Sequence, residues 1–152
     1  MKIRELMTDR VLTLDATADI DLAVGILEIM RIRHLPVVQD GRLVGLVTHR
    51  DLLAATASSL GDPARDSTVP VRELMRPRPA TIHPDADVRE AIRVMRHNKY
   101  GALPVVDADD TLVGIVTEAD FLSLAHYLLN TLDGLDLDAL SVAALAQRHD
   151  PR

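Results

Sequence analysis

Leu43-Val44-Gly45-Leu46-Val47-Thr48 returns 69 positions later as Leu112-Val113-Gly114-Ile115-Val116-Thr117, and Asp51 and Asp120 follow at the same distance. Working outward, Leu35-Pro36-Val37-Val38 returns 68 positions on as Leu103-Pro104-Val105-Val106. Ile3-Arg4-Glu5-Leu6-Met7 returns, also 68 on, as Val71-Arg72-Glu73-Leu74-Met75. The offset grows by one between the latter stretches and the first, so the second copy gained a residue in that loop. A sequence written twice fixes the architecture before any detail: two similar units, with any site occurring twice and differing locally.

Each copy carries its patterns in the same order. A short extended segment comes first, Val11–Leu14 and then Ala80–Ile82. A helix follows. Asp19 is the expected cap in the first copy, with Ala23, Ile26, Leu27 and Met30 as the apolar stripe. In the second copy Asp87 and Glu90 fit a capping box, and Ala91, Ile92 and Met95 share one face. Two β-branched runs come next, Leu35–Val38 with Leu43–Thr48 and Leu103–Val106 with Leu112–Thr117. Asp40-Gly41 between the first two is a strong hairpin signal. A second helix starts just after Thr48 or Thr117. The unit is β-α-β-β-α, and the fold class is α+β. The expected boundaries are a first repeat at 1–57, a Gly-, Pro- and Ser-rich linker at 58–70, a second repeat at 71–127 and a helical tail at 128–152. The last helix is expected to reach about Leu132, with another short helix at 138–147.

Composition excludes several classes. Phe121, Tyr100 and Tyr127 are the only aromatics, too few for a base-stacking platform. A net charge of -6 gives no general attraction to nucleic acid or acidic membranes. Without Cys there is no disulfide framework or thiolate metal site. The N-terminus, Met1-Lys2-Ile3-Arg4-Glu5, carries charges where a signal peptide needs an apolar run, and no stretch has the length of a membrane span. A cytoplasmic protein is expected. The six His residues are dispersed, so no metal site is expected, and neither a Ser-His-Asp arrangement nor a Walker loop can be placed.

The strongest local pattern is Gly-apolar-apolar-Thr-x-x-Asp at Gly45–Asp51 and Gly114–Asp120, where a strand passes into a helix. Two uses compete for it. Unpartnered N–H groups and the helix dipole favour an anion there. Thr48 or Thr117 would add a hydroxyl donor, and Asp51 or Asp120 would accept from a ribose diol. The same residues also suit a plain helix cap. The glycine would leave room for a ligand or for close packing.

With these motifs in place, the chain resembles a tandem pair of CBS domains, the cystathionine β-synthase regulatory repeat, also called a Bateman module. Thr13, Thr81, the Leu-Pro-Val-Val strands and both Gly-x-x-Thr-x-x-Asp motifs carry the resemblance. It implies two repeats packed sheet to sheet around two clefts that bind AMP, ADP, ATP or S-adenosylmethionine, and in some members NAD or a cyclic dinucleotide. It implies regulatory sensing rather than catalysis, commonly as a homodimer that signals to a regulated protein.

Carried onto this sequence, the first site comprises Thr13, Leu14, His34, Leu35, Pro36, Thr48, His49, Arg50 and Asp51. The second comprises Thr81, Ile82, Gly101, Ala102, Leu103, Pro104, Thr117 and Asp120. Leu14, Ile82, Pro36 and Pro104 suit either a base or the core. His49 and Arg50 lie inside the first Thr-x-x-Asp and Glu118 and Ala119 inside the second, so the first site is expected to favour phosphate. Arg76-Pro77-Arg78-Pro79 reads as a solvated basic strip from which Arg78 could reach a phosphate. The rival reading is a structural dimerisation module with no ligand.

Overall fold

The computed structural model describes residues 1–59 and 69–132. Most of the expected linker and the expected helix at 138–147 lie outside these residues. Met1–Glu118 forms one compact unit and the chain from Ala119 another.

The first unit contains two copies of one motif. In the first copy β1 (Leu14–Asp15) lies parallel to β2 (His34–Gln39), and β2 pairs antiparallel with β3 (Arg42–Thr48). Helix α1 (Ile20–Met30) connects β1 to β2, and α2 (His49–Ser59) follows β3. The second copy repeats α3 (Val88–Asn98), β5 (Ala102–Val106) and β6 (Leu112–Thr117) within this unit, and α4 (Glu118–Leu132), which follows β6, belongs from Ala119 on to the second unit. A short strand β4 (Arg76–Pro77) completes a four-stranded sheet in the order β1-β2-β3-β4. In the second sheet single bridges take the flanking places: Ile82 pairs with Val105, and Thr8 with Ile115. The expected segment Ala80–Ile82 is thus reduced to one bridge, and Val11–Leu14 becomes a strand only at its end.

Local chemistry explains the elements. Asp19 caps α1 by accepting from the Leu22 N–H at 2.8 Å. Asp87 caps α3 through the Arg89 N–H at 2.9 Å, while Glu90 is exposed and bonds Asp87 only by its backbone N–H. The expected box at Asp87–Glu90 is therefore a one-sided cap. Asp40 and Gly41 both take positive φ, 51° and 77°, the backbone that a two-residue hairpin turn requires. In the longer second hairpin Asp107 Oδ1 accepts from the N–H groups of Asp109 and Thr111. Both hairpins shift register at the same place, Val37/Val38 and Val105/Val106. Of the expected α1 stripe, Ala23 and Leu27 are buried, but Met30 is 52% exposed. It sits in the last turn, and Arg31 at φ 52° ends the helix beside it.

The repeats are joined by a reciprocal exchange. The leading segment of the second repeat, a 3-10 turn at Val71–Glu73, docks on the first: the Val71 N–H donates to Ala18 at 2.7 Å and the Arg72 N–H to Ala16 at 3.2 Å. Val71 is fully buried in one cluster with Leu14, Ala23, Leu27, Leu35, Val47 and Leu52. The leading segment of the first repeat, a 3-10 turn at Ile3–Glu5, docks on the second: the Ile3 N–H donates to Ala86 at 3.0 Å and the Arg4 N–H to Pro84 at 2.9 Å. Each buried Val or Ile contributes about 1.5–3 kcal/mol. The chain then runs to the far sheet edge, where Thr8 and Ile115 exchange two N–H···O bonds at 2.9 and 3.0 Å.

This exchange accounts for the motif glycines. A Cβ added at Gly114 would lie 2.5 Å from Met7 Sδ and 3.1 Å from the Thr8 carbonyl oxygen. A Cβ at Gly45 would collide with Met75 Sδ and come within 2.8 Å of its Cγ. Each glycine is the seat of a methionine from the other repeat. Gly45→Ala is expected to cost about 1–3 kcal/mol by overpacking. Combined with Met75→Ala it should cost at least about 0.5 kcal/mol less than the sum of the single changes, because the two side chains share one space. Urea unfolding of the four proteins measures this, and additive costs would show that the contact does not limit the site.

Candidate functional site

Where β3 passes into α2, Thr48 and Asp51 form a reciprocal cap. The Asp51 N–H donates to Thr48 Oγ1 at 3.2 Å, while the Thr48 N–H and hydroxyl donate to Asp51 Oδ2 at 3.0 and 2.7 Å. The structural use of the motif is therefore real in the first repeat. It does not consume the carboxylate: both of these bonds end on Oδ2. The first N–H of each helix is satisfied alike, His49 donating to Arg33 at 3.0 Å and Glu118 to Gly101 at 3.1 Å.

Asp51 opens onto a cleft of about 690 Å³, within the range of small-molecule sites. The first repeat supplies Arg33, His34, Leu46, Thr48, His49, Arg50, Asp51 and Leu53. The second supplies Arg76 to Ala80, then Lys99, Tyr100, Gly101, Ala102 and Glu118. Of the residues expected in the first site, the cleft thus gathers His34, Thr48, His49, Arg50 and Asp51. Of those expected in the second it gathers Gly101 and Ala102. Arg50 and Glu118, read as belonging to separate sites, line one cleft.

The remaining expected residues lie elsewhere. Leu14, Leu35, Pro36, Ile82, Leu103 and Pro104 are buried in the core. Thr13 and Thr81 are exposed ahead of the first strand position of each repeat, Thr117 is half-buried at the end of β6, and Asp120 is half-buried in the second unit. Arg76, from the strip read as solvated, lines the cleft, and so do Lys99 and Tyr100, which no sequence signal singles out. The positive φ of Lys99, 56°, marks it only as the residue that ends α3.

His34 occupies the junction of the repeats. Its Nε2 lies 2.8 Å and its Cε1 3.0 Å from where a Gly101 Cβ would stand, with a Glu118 carboxylate oxygen 3.7 Å from the same point. Where the first copy has Arg33-His34 the second has Gly101-Ala102, and the bare Gly101 leaves room for the His34 ring. Burial, and then the Arg33 charge, hold the imidazole below its ordinary 6.5, against the pull of Glu118 and Asp51. Below pH 6.5 the unfolded chain therefore binds the His34 proton more readily than the folded chain. Stability is lost as the pH falls through and below that value. Melting temperatures of wild type and His34→Asn between about pH 5 and 8 check this: the wild type should lose more stability on acidification, and parallel curves would contradict it.

A duplicated β-α-β-β-α unit with an inter-repeat cleft and a Thr-x-x-Asp cap facing it defines a tandem-repeat module. The family model for the CBS domain matches twice, at residues 3–58 and 71–127, and the chain belongs to the CBS domain family. A CBS domain-containing protein of Dictyostelium discoideum is 36% identical over 129 residues, covering 80% of this chain and 89% of that protein. An inosine-5'-monophosphate dehydrogenase of Methanocaldococcus jannaschii is 31% identical over 150 residues; the match takes 98% of this chain but only 28% of that enzyme's length. Among solved structures, CBSX2 in complex with AMP is 29% identical with a TM-score of 0.74, over 84% of this chain and 97% of that one. The CBS domain pair of protein MJ0100 in complex with 5'-methylthioadenosine and S-adenosyl-L-methionine is 28% identical with a TM-score of 0.71, over 83% and 96%.

Proposed function

We propose that this chain is a regulatory module that binds an adenine nucleotide or related adenosyl compound in the inter-repeat cleft and signals its presence to a partner protein. The observation that carries the reading is the half-buried Asp51, fixed by its cap and lining a cleft built from both repeats. A carboxylate so held suits the two hydroxyls of a ribose, with Arg50 beside it for phosphate. The AMP complex of CBSX2 and the adenosyl complexes of the MJ0100 pair support the same ligand class. A ligand touching both repeats can shift their equilibrium by favouring one arrangement, which is how binding becomes a signal.

We read the module as a cytoplasmic homodimer that contributes binding rather than catalysis. Among the described residues no helix is long and apolar enough to cross a membrane. Leu22, Ile29 and Met30 of α1 are exposed, Ile29 by 81%, where α3 carries Glu90, His97 and Asn98. That difference supports an interface on the first repeat.

A thermal-shift series with AMP tests the ligand reading. At about a hundred times its dissociation constant the nucleotide should add roughly 2.7 kcal/mol of apparent stability, a rise of several degrees. Asp51→Asn keeps an oxygen for the Thr48 N–H and should melt within about 1 kcal/mol of wild type while losing the shift. Asp120→Ala reports on the second motif. If AMP, ADP, ATP and S-adenosylmethionine all leave the wild-type melting temperature unmoved, the reading fails and the ligand-free dimerisation module takes its place.

A further inference from the structure

We propose that Met7 and Met75 are a paired modification site, at which a peroxide oxidises each thioether to the sulfoxide and loosens the docking of one repeat on the other. The proposal does not depend on what the cleft binds.

Chemistry is the first ground. The chain has no Cys and five Met, so thioethers are its only sulfur groups. Oxidation of Met turns a flexible apolar side chain into a polar one and disrupts interfaces built on it. The five methionines differ in place. Met1 and Met30 are more than half exposed, and Met95 is buried in the core. Met7 and Met75 lie between these extremes: both are half-buried, each at the end of a leading segment that docks on the other repeat. They are thus packed and still open in part to a small oxidant. The sulfur lone pair takes the near peroxide oxygen. The O–O bond breaks as the S–O bond forms, the proton on that oxygen passes to the departing hydroxide, and water leaves. The thioether is oxidised by two electrons, and the peroxide is reduced by two.

Packing is the second ground. Each sulfur rests on a bare glycine, Met7 Sδ on Gly114 and Met75 Sδ on Gly45, where an added Cβ would collide with it. A space that refuses a methyl carbon refuses a sulfoxide oxygen pointed the same way. At the Gly114 seat the Thr8 carbonyl oxygen also lies 3.1 Å from that point, an acceptor that opposes a second acceptor. A polar oxygen buried without a donor is costly, so the oxidised side chain turns to water and leaves its seat. The seats stand at the joints of the exchange. Thr8, next to Met7, trades two N–H···O bonds with Ile115, next to Gly114. Gly45 pairs with Pro77, two residues past Met75, so loss of the second seat acts on β4 and the strip that follows it. The Met7 N–H donates to Ile3 at 2.8 Å and the Met75 N–H to Val71 at 2.9 Å, so the turns that bury Ile3 and Val71 also set the methionines.

Titration of the full chain with hydrogen peroxide, with mass mapping of every methionine and a melting curve at each step, tests this. The wild-type melting temperature should fall by several degrees as Met7 and Met75 each gain an oxygen. Methionine sulfoxide reductases A and B with dithiothreitol should restore it. Met7→Leu with Met75→Leu fills the seats at similar volume without sulfur, and its melting temperature should hold in peroxide. Met30→Leu should fall as far as the wild type. Each single seat variant should lose about half as much as the wild type, since the seats are separate, and these singles carry the test if the double variant does not fold. Three results would overturn the proposal: Met7 and Met75 unmodified when Met1 and Met30 are fully converted, both converted with the melting temperature unmoved, or seat variants that fall as far as the wild type.

Discussion

The docking of each repeat's leading segment onto the other repeat is the constraint on which everything else here depends. Ile3 and Val71 are fully buried away from the sheets that follow them in sequence, and their N–H groups are satisfied by the opposite copy. Pulling the repeats apart would expose both side chains and strand these backbone donors. An unpaired buried polar group costs about 1–3 kcal/mol, so the cost of separation falls on packing and hydrogen bonding together. The copies are therefore held together through both docked segments.

The same constraint settles which part of the Gly-x-x-Thr-x-x-Asp motif serves the fold. Gly45 and Gly114 are seats for Met75 and Met7, and Thr48 begins a helix. Asp51 also caps, through Oδ2, and faces the cleft as well. One residue thus caps a helix and lines the cleft at once. This is why removal of its side chain must be compared with the amide before any loss of binding is read as loss of contact. β4 is laid on β3, Arg76 opposite Leu46 and Pro77 opposite Gly45, and Arg76 and Arg78 line the same cleft as Asp51.

Much of this was legible in the sequence because local chemistry and tertiary structure agree. The duplication predicts the two β-α-β-β-α copies, Asp40-Gly41 predicts the hairpin, and Asp19 predicts the start of α1. The exchange was not legible. Ile3–Met7 and Val71–Met75 are visibly repeated, yet nothing local says which copy a segment docks on; that choice is made by long-range burial. For the same reason the residues read as two sites, one per copy, are in part drawn into one cleft. His34 and Gly101 meet across the repeats, a juxtaposition that spacing along either copy does not contain. Leu14 and Pro36 satisfy a pocket pattern and a core pattern equally on paper, and the structure buries them.

Hydrogen–deuterium exchange of the full chain with and without saturating ATP tests most directly the claim that the binding site is built from both repeats. The account predicts that ATP slows exchange together at the start of α2 around Thr48–Asp51, along the strip from Arg76 to Ala80, and at Lys99–Gly101. Protection confined to the first of these, with the second-repeat segments exchanging as in the free protein, would contradict it.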